Sequence, residues 1–165
     1  MQTLDSSDIV KLAVSVIICL VPGFVGAMIN ARAIPMWYAF INKPSFTPPN
    51  WVFAPVWTAL YIMMGVALFL VWRKGVGLPG VKAAIVFFSV QLVLNGLWTP
   101  VFFGMRSPLF GLVVIALLAA ALLFTIIRFY PISRAAALLL LPYLAWVGYA
   151  TAINVGVLML NSPGV

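Results

Sequence analysis

The run LFGLVVIALLAAALLFTII, Leu109 to Ile127, settles the fold of this chain. It carries no charge, and apolar side chains fill nearly every position rather than every second one. A strand of a membrane barrel alternates apolar with polar residues, so the run is no such strand. A helix pairs its backbone N–H and C=O groups within itself, which is what a segment in hydrocarbon requires.

Working outward, the charges bracket further runs of the same kind. Lys11 to Arg32 encloses 20 uncharged residues, Lys43 to Arg73 29, Lys82 to Arg106 23 and Arg106 to Arg128 21, while 31 follow Arg134. Each meets the ~20 residues a helix needs to cross ~30 Å of hydrocarbon. The composition agrees: 65% of residues are hydrophobic and 7% charged, against roughly 25% charged in a soluble domain. The pattern predicts an all-α integral membrane protein, one domain over 1–165 built as a five-transmembrane-helix bundle. The helices fall at about 9–29, 51–73, 82–104, 107–129 and 135–159, with a first loop at 30–50. The first run is long and follows Asp5, Asp8 and Lys11, flanks that favour a retained membrane helix over a cleaved signal peptide.

Lys11, Arg73, Lys74, Lys82, Arg128 and Arg134 fall on one side of this topology, and Arg32, Lys43 and Arg106 on the other. Six against three places the N-terminus inside the cell membrane. The net charge of +7 is explained by anionic headgroups. No clustered basic face supports nucleic acid.

What is missing excludes whole classes. There is no histidine, and the only carboxylates, Asp5 and Asp8, precede the first run. A proton relay, a proton-coupled exporter of cations or a hydrolase would ordinarily draw on such a group in the membrane. One cysteine, Cys19, cannot complete a zinc or iron site, and reads as a small buried hydrophobe. Axial histidine ligation of haem is out. No metal and no required cofactor are expected.

Recognition then falls to rings and neutral dipoles. Gln91, Asn95 and Trp98 step by four and three, which sets them on one face. Glue between helices and a pocket wall are both open readings of that face. Pro48 and Pro49 open the second helix, and Pro55 bends it about a turn later. Trp57 and Tyr61 share a face below that bend, for a pocket or for packing, while Trp51 and Trp72 read as interfacial anchors. Pro142, Trp146, Ala150 and Asn154 step by four along a third face, flanked by Tyr143 and Tyr149.

Trp37 and Tyr38, then NKPSFTPPNWVFAPVWTALY, LNGLWTPVFFGMR and PYLAWVGYATAIN, in this order across about four fifths of the chain, resemble the TspO/MBR family of tryptophan-rich sensory and translocator proteins. The resemblance implies a bundle that binds porphyrins such as protoporphyrin IX as its ligand, usually as a homodimer, in a pocket capped by the first loop. It implies a link to tetrapyrrole regulation or transport, or to porphyrin breakdown in light. Carried over by motif, Trp37 and Tyr38 belong to the cap, Pro48 and Pro49 to the mouth, Trp57 to one wall (with Tyr61 beside it by its spacing of four), Asn95 and Trp98 to the opposite wall, and Trp146 and Ala150 to the remaining side. Trp57 and Trp146 match the tryptophans proposed to take part in porphyrin photochemistry. Phe46 stands where the family often has tryptophan, keeping a ring for stacking but not the indole N–H.

Ile153 to Met159 lack the tyrosine and arginine of the mitochondrial sterol motif, which disfavours cholesterol and points to a prokaryotic member. Arg32 and Lys43, the basic residues of the first loop, are positioned to meet propionates. The expectation is a membrane receptor or carrier rather than an enzyme; the alternative is a light- and oxygen-dependent porphyrin-degrading enzyme that uses pocket tryptophans.

Overall fold

The computed structural model describes residues 5–161. Its elements are helices α1 (Ser6–Ala33), α2 (Asn50–Trp72), α3 (Val81–Thr99), α4 (Pro108–Phe129), α5 (Arg134–Leu139) and α6 (Leu141–Asn161), and no strand occurs among the described residues. Five spans are long and apolar enough to cross a membrane: Ser6–Tyr38, Asn50–Trp72, Val81–Gly104, Pro108–Phe129 and Arg134–Asn161. The five-helix bundle expected from the charge spacing is the observed architecture.

The helix starts follow local chemistry. Asp5 Oδ1 accepts from the Asp8 amide at 2.7 Å, Ser107 Oγ from Phe110 N at 3.3 Å and Ser133 Oγ from Ala136 N at 3.3 Å. Each side chain takes up an N–H that has no partner within its helix. Pro108 follows its cap directly, where a missing amide hydrogen costs little.

Prolines modify three of the expected helices, one in its end and two in their continuity. First, α1 does not end near residue 29. It runs to Ala33 and continues as a π-helical turn, Ile34–Tyr38, so the first loop shrinks from 30–50 to 39–49. Pro35 has no N–H for the i−4 carbonyl, and Ala39 N instead reaches Ile34 O at 2.9 Å, five residues back. Second, α3 ends in a matching π turn, Pro100–Gly104, with Met105 N on Pro100 O at 2.9 Å. Third, the last span is two helices broken at Leu140, where Pro142 has no N–H to offer the Leu138 carbonyl four residues back.

The most extensive helix contacts are α3 with α4, α1 with α2 and α4 with α6, while α5 packs against α2 and α4. Gly65 lets α2 meet α1 at backbone distance: a Cβ there would lie 2.6 Å from Val16 Cα. Close approach at small residues is how membrane helices gain dispersion energy without a hydrophobic driving force. Asp8 pairs with Arg73 at 3.0 Å, tying the start of α1 to the end of α2. Phe24, Ile17, Val93 and Ile127 are more than half exposed, as side chains of a bundle bathed in lipid are.

The two π turns share a purpose. They bring Trp37 and Tyr38 against Phe102 and Phe103, with ring centroids 5.3 to 6.5 Å apart and interplanar angles of 62 to 90°. Such edge-to-face pairs add about 0.5 to 1.5 kcal/mol each beyond burial, and they knot α1 to α3 at one end of the bundle.

Candidate functional site

Beneath this knot the helices enclose a cavity of about 620 Å³, within the ~300 to 1,000 Å³ of small-molecule sites. Helices α1, α2, α3 and α6 wall it, and Ile115 and Leu118 of α4 reach it from behind. Its lining is dominated by rings. Trp57 stacks on Tyr61 at 5.4 Å and 27°, Trp98 on Phe102 at 4.9 Å and 17°, and Phe53 and Trp146 pack in a T-shaped pair at 6.0 Å and 71°.

One polar thread crosses the site. Tyr61 donates its hydroxyl hydrogen to Asn95 Oδ1 at 2.8 Å, and Asn95 Nδ2 donates to the Tyr143 hydroxyl at 2.8 Å. Three spans are thereby joined through α2, α3 and α6, and Asn95, 4% exposed, serves both readings left open for it: it glues helices and lines the cavity. Gln91 shares its face and is fully buried, yet it does not line the cavity and its amide meets no protein hydrogen-bond partner. Asn154 bridges the first turn of α4; oriented by its partners, its amide nitrogen donates to Pro108 O at 2.8 Å and its oxygen accepts from Leu112 N at 3.0 Å.

Of the residues singled out by sequence, Tyr38, Trp57, Tyr61, Asn95, Trp98, Trp146 and Ala150 line the cavity. Trp37, Phe46, Pro48, Pro49, Arg32 and Lys43 are not among its lining residues. Tyr38 and Trp37 stand on the helical extension of α1 rather than in a loop cap, and adjacent helical residues point apart. Trp37 therefore lines a second cavity of about 320 Å³, beside Ile41, Arg106 and Asn161. Phe46 is 51% exposed; its carbonyl accepts from the Tyr149 hydroxyl at 2.6 Å. Pro49 occupies the N-cap position of α2. Lys43 donates to Tyr38 O at 2.7 Å and Ile41 O at 2.9 Å, with its ammonium 5.0 Å from the Tyr38 ring centroid. It fastens the carbonyls freed at the end of the π turn. Arg32 is exposed near the end of α1.

Sequence reasoning missed Phe24, Asn30, Phe53, Phe102 and Phe103, all of which line the cavity. Phe53 lies four before Trp57 and Phe102 four after Trp98, so extending each face by one turn finds them. Asn30, an amide in an otherwise apolar run, carried a signal too.

The family model for the TspO/MBR family matches residues 15–160. The chain is 44% identical over 156 residues to the tryptophan-rich protein TspO of Archaeoglobus fulgidus, covering 94% of this chain and 99% of that one. It is 42% identical over 121 residues to the human translocator protein, covering 72% and 70%. Protein CrtK of Rhodobacter capsulatus matches at 36% over 154 residues, 92% of each chain. With its five apolar spans, the chain is a multi-pass integral membrane protein and belongs to the TspO/MBR family.

Proposed function

We propose that this protein is a membrane receptor or carrier that binds porphyrins of the protoporphyrin IX type in the ring-lined cavity, in the service of tetrapyrrole regulation or transport. The observation that carries the reading is the cavity itself, in which Trp57, Trp98 and Trp146 stand on three different helices around one space of about 620 Å³. A flat apolar macrocycle stacks on such faces, and the small side chain of Ala150 leaves room for its edge. No group that titrates near neutrality lines the cavity, so affinity comes from contact and neutral dipoles.

The propionates are assigned to the cations at the same end of the bundle. Lys43 already spends two of its three N–H groups on carbonyls, which leaves exposed Arg32 the larger share. Saturable binding of protoporphyrin IX to the purified protein, weakened by Arg32→Gln more than binding of its dimethyl ester, supports the assignment. Equal weakening of acid and ester rejects the propionate contact, and absence of saturable binding rejects the ligand class.

A second reading has its own support, since Trp57 and Trp146 both line the cavity and would contact a bound ring. Under light and oxygen the porphyrin would then be degraded, with the tryptophans giving up electrons to the excited ligand. A new absorbing product that disappears in Trp57→Phe with Trp146→Phe favours this enzyme over the receptor. The N-terminus inside the cell membrane and a homodimer belong to the same proposal; thiol labelling from each side and crosslinking in liposomes test them, with native Cys19 buried and silent.

A further inference from the structure

The loop end of the bundle and the side of the cavity are held very differently. Loop 39–49 is fastened to α6 at three levels. Asn42 N donates to Asn161 Oδ1 at 3.0 Å while Asn161 Nδ2 donates back to Asn42 O at 2.8 Å. Pro44 lies in the notch left by Gly156, where a Cβ would collide with its ring. Tyr149 holds Phe46 O at 2.6 Å. Tyr149 and Gly156, two turns apart, share one edge of α6, and Asn161 reaches the loop from its last residue.

The side between α1 and α2 has no such closure. Six lining residues of the cavity are exposed: Phe24, Ala27 and Ala31 on α1, and Asn50, Ala54 and Thr58 on α2. Among the described residues, no lining residue of α3, α4 or α6 is exposed. Spacings of three and four put each trio on a single helix edge. Farther from the loop the two helices shut tightly. Gly65 meets the Val16 backbone, and a Cβ on Gly23 would lie 2.5 Å from the Tyr61 ring. The pair thus makes a wedge, closed in mid-bundle and open toward the loop end.

The gap is apolar in chemistry. Thr58 turns its hydroxyl onto Ala54 O at 2.8 Å, three of the six residues are alanines, and Asn50 stands alone as a polar side chain at the loop end. An outward gap between two spanning helices opens onto acyl chains. We infer that the cavity is loaded sideways from the bilayer, through the gap between α1 and α2, by a guest already dissolved in lipid. Loop 39–49, none of whose residues lines the cavity, is the fixed roof of that end of the bundle, and Phe24, the one large side chain on the rim and 71% exposed, is the door. This rests on the cavity being the porphyrin site.

Two arms test it on the full chain in liposomes. In the first, protoporphyrin IX is mixed with protein and tryptophan quenching is followed in time. Ala27→Phe with Ala54→Phe should slow association by about tenfold, or ~1.4 kcal/mol of barrier, whatever the two rings do to Kd; Phe24→Ala should speed it. An oxidised disulfide between Asn42→Cys and Asn161→Cys should leave the association rate unchanged. Binding abolished by the roof disulfide, or a weaker Kd with unchanged association in the filled gap, overturns the inference.

The second arm needs no porphyrin. The thiol of Ala150→Cys, inside the cavity, should react quickly with a lipid-soluble maleimide and slowly with a membrane-impermeant one. The filled gap should slow the former and the roof disulfide should not. Faster reaction from water, or slowing by the roof alone, overturns the lateral route even if protoporphyrin IX proves not to bind.

Discussion

Tyr61 of α2 hydrogen-bonds Asn95 of α3 at 2.8 Å, and this contact stands at the point where packing and recognition meet. Asn95 has a second partner in the fully buried Tyr143, so replacing it strands two hydroxyls at once. Buried hydrogen bonds left unmade cost about 1 to 3 kcal/mol, while measured couplings between membrane helices average ~0.6 kcal/mol. Asn95→Leu should lower stability by about 1 to 2 kcal/mol. A double-mutant cycle of Asn95→Leu with Tyr61→Phe should show positive coupling in denaturation from detergent. Strict additivity would mean that the contact carries no energy.

Gly65 and Gly148 make a matched pair. A Cβ on Gly65 meets the Val16 backbone, which cannot swing away, whereas a Cβ on Gly148 meets nothing within 4 Å. Gly65→Ala should cost about 1 to 3 kcal/mol as overpacking. Gly148→Ala should be neutral or stabilising by up to about 1 kcal/mol through helix propensity. Thermal unfolding of both variants checks the contrast.

The loop clasp gives a local signature. Asn161→Ala removes both arms of the Asn42 exchange and should raise hydrogen exchange at the Asn42 amide, with little effect in α3 or α4. Gly156→Leu should do the same by displacing Pro44. Protection unchanged in both variants would show that the loop is held by something else.

At the other end, Asp8→Asn removes the ion pair with Arg73. The partners are 13% and 22% exposed, and pairs with solvent access contribute about 0.2 to 1 kcal/mol. The loss should stay within that range in denaturation at low salt and shrink as salt rises.

Much of this molecule was legible in one dimension because the bilayer imposes simple rules. Charges confined to the ends of apolar runs fixed five spans, and spacings of three and four put Asn95 with Trp98 and Trp57 with Tyr61 on shared faces. The prolines were legible as breaks but not in their consequences. Nothing in the pattern around Pro35 says that a π turn will carry α1 five residues farther and set Trp37 and Tyr38 against different cavities. Lys43 was visible as a charge, while its use as a clasp for Tyr38 O and Ile41 O depends on where that turn ends. The gap between α1 and α2 was hidden for another reason: Ala27, Ala31 and Ala54 are small, and small residues signal close packing and open space equally well.

The most direct test of the whole account is a titration of intrinsic tryptophan fluorescence with protoporphyrin IX in the wild type and in Trp57→Phe, Trp146→Phe and Asn95→Ala. The account predicts saturable quenching in the wild type and weaker affinity in all three variants. Saturable quenching with the same affinity in every one of them would contradict it, since the guest would then sit somewhere other than this cavity.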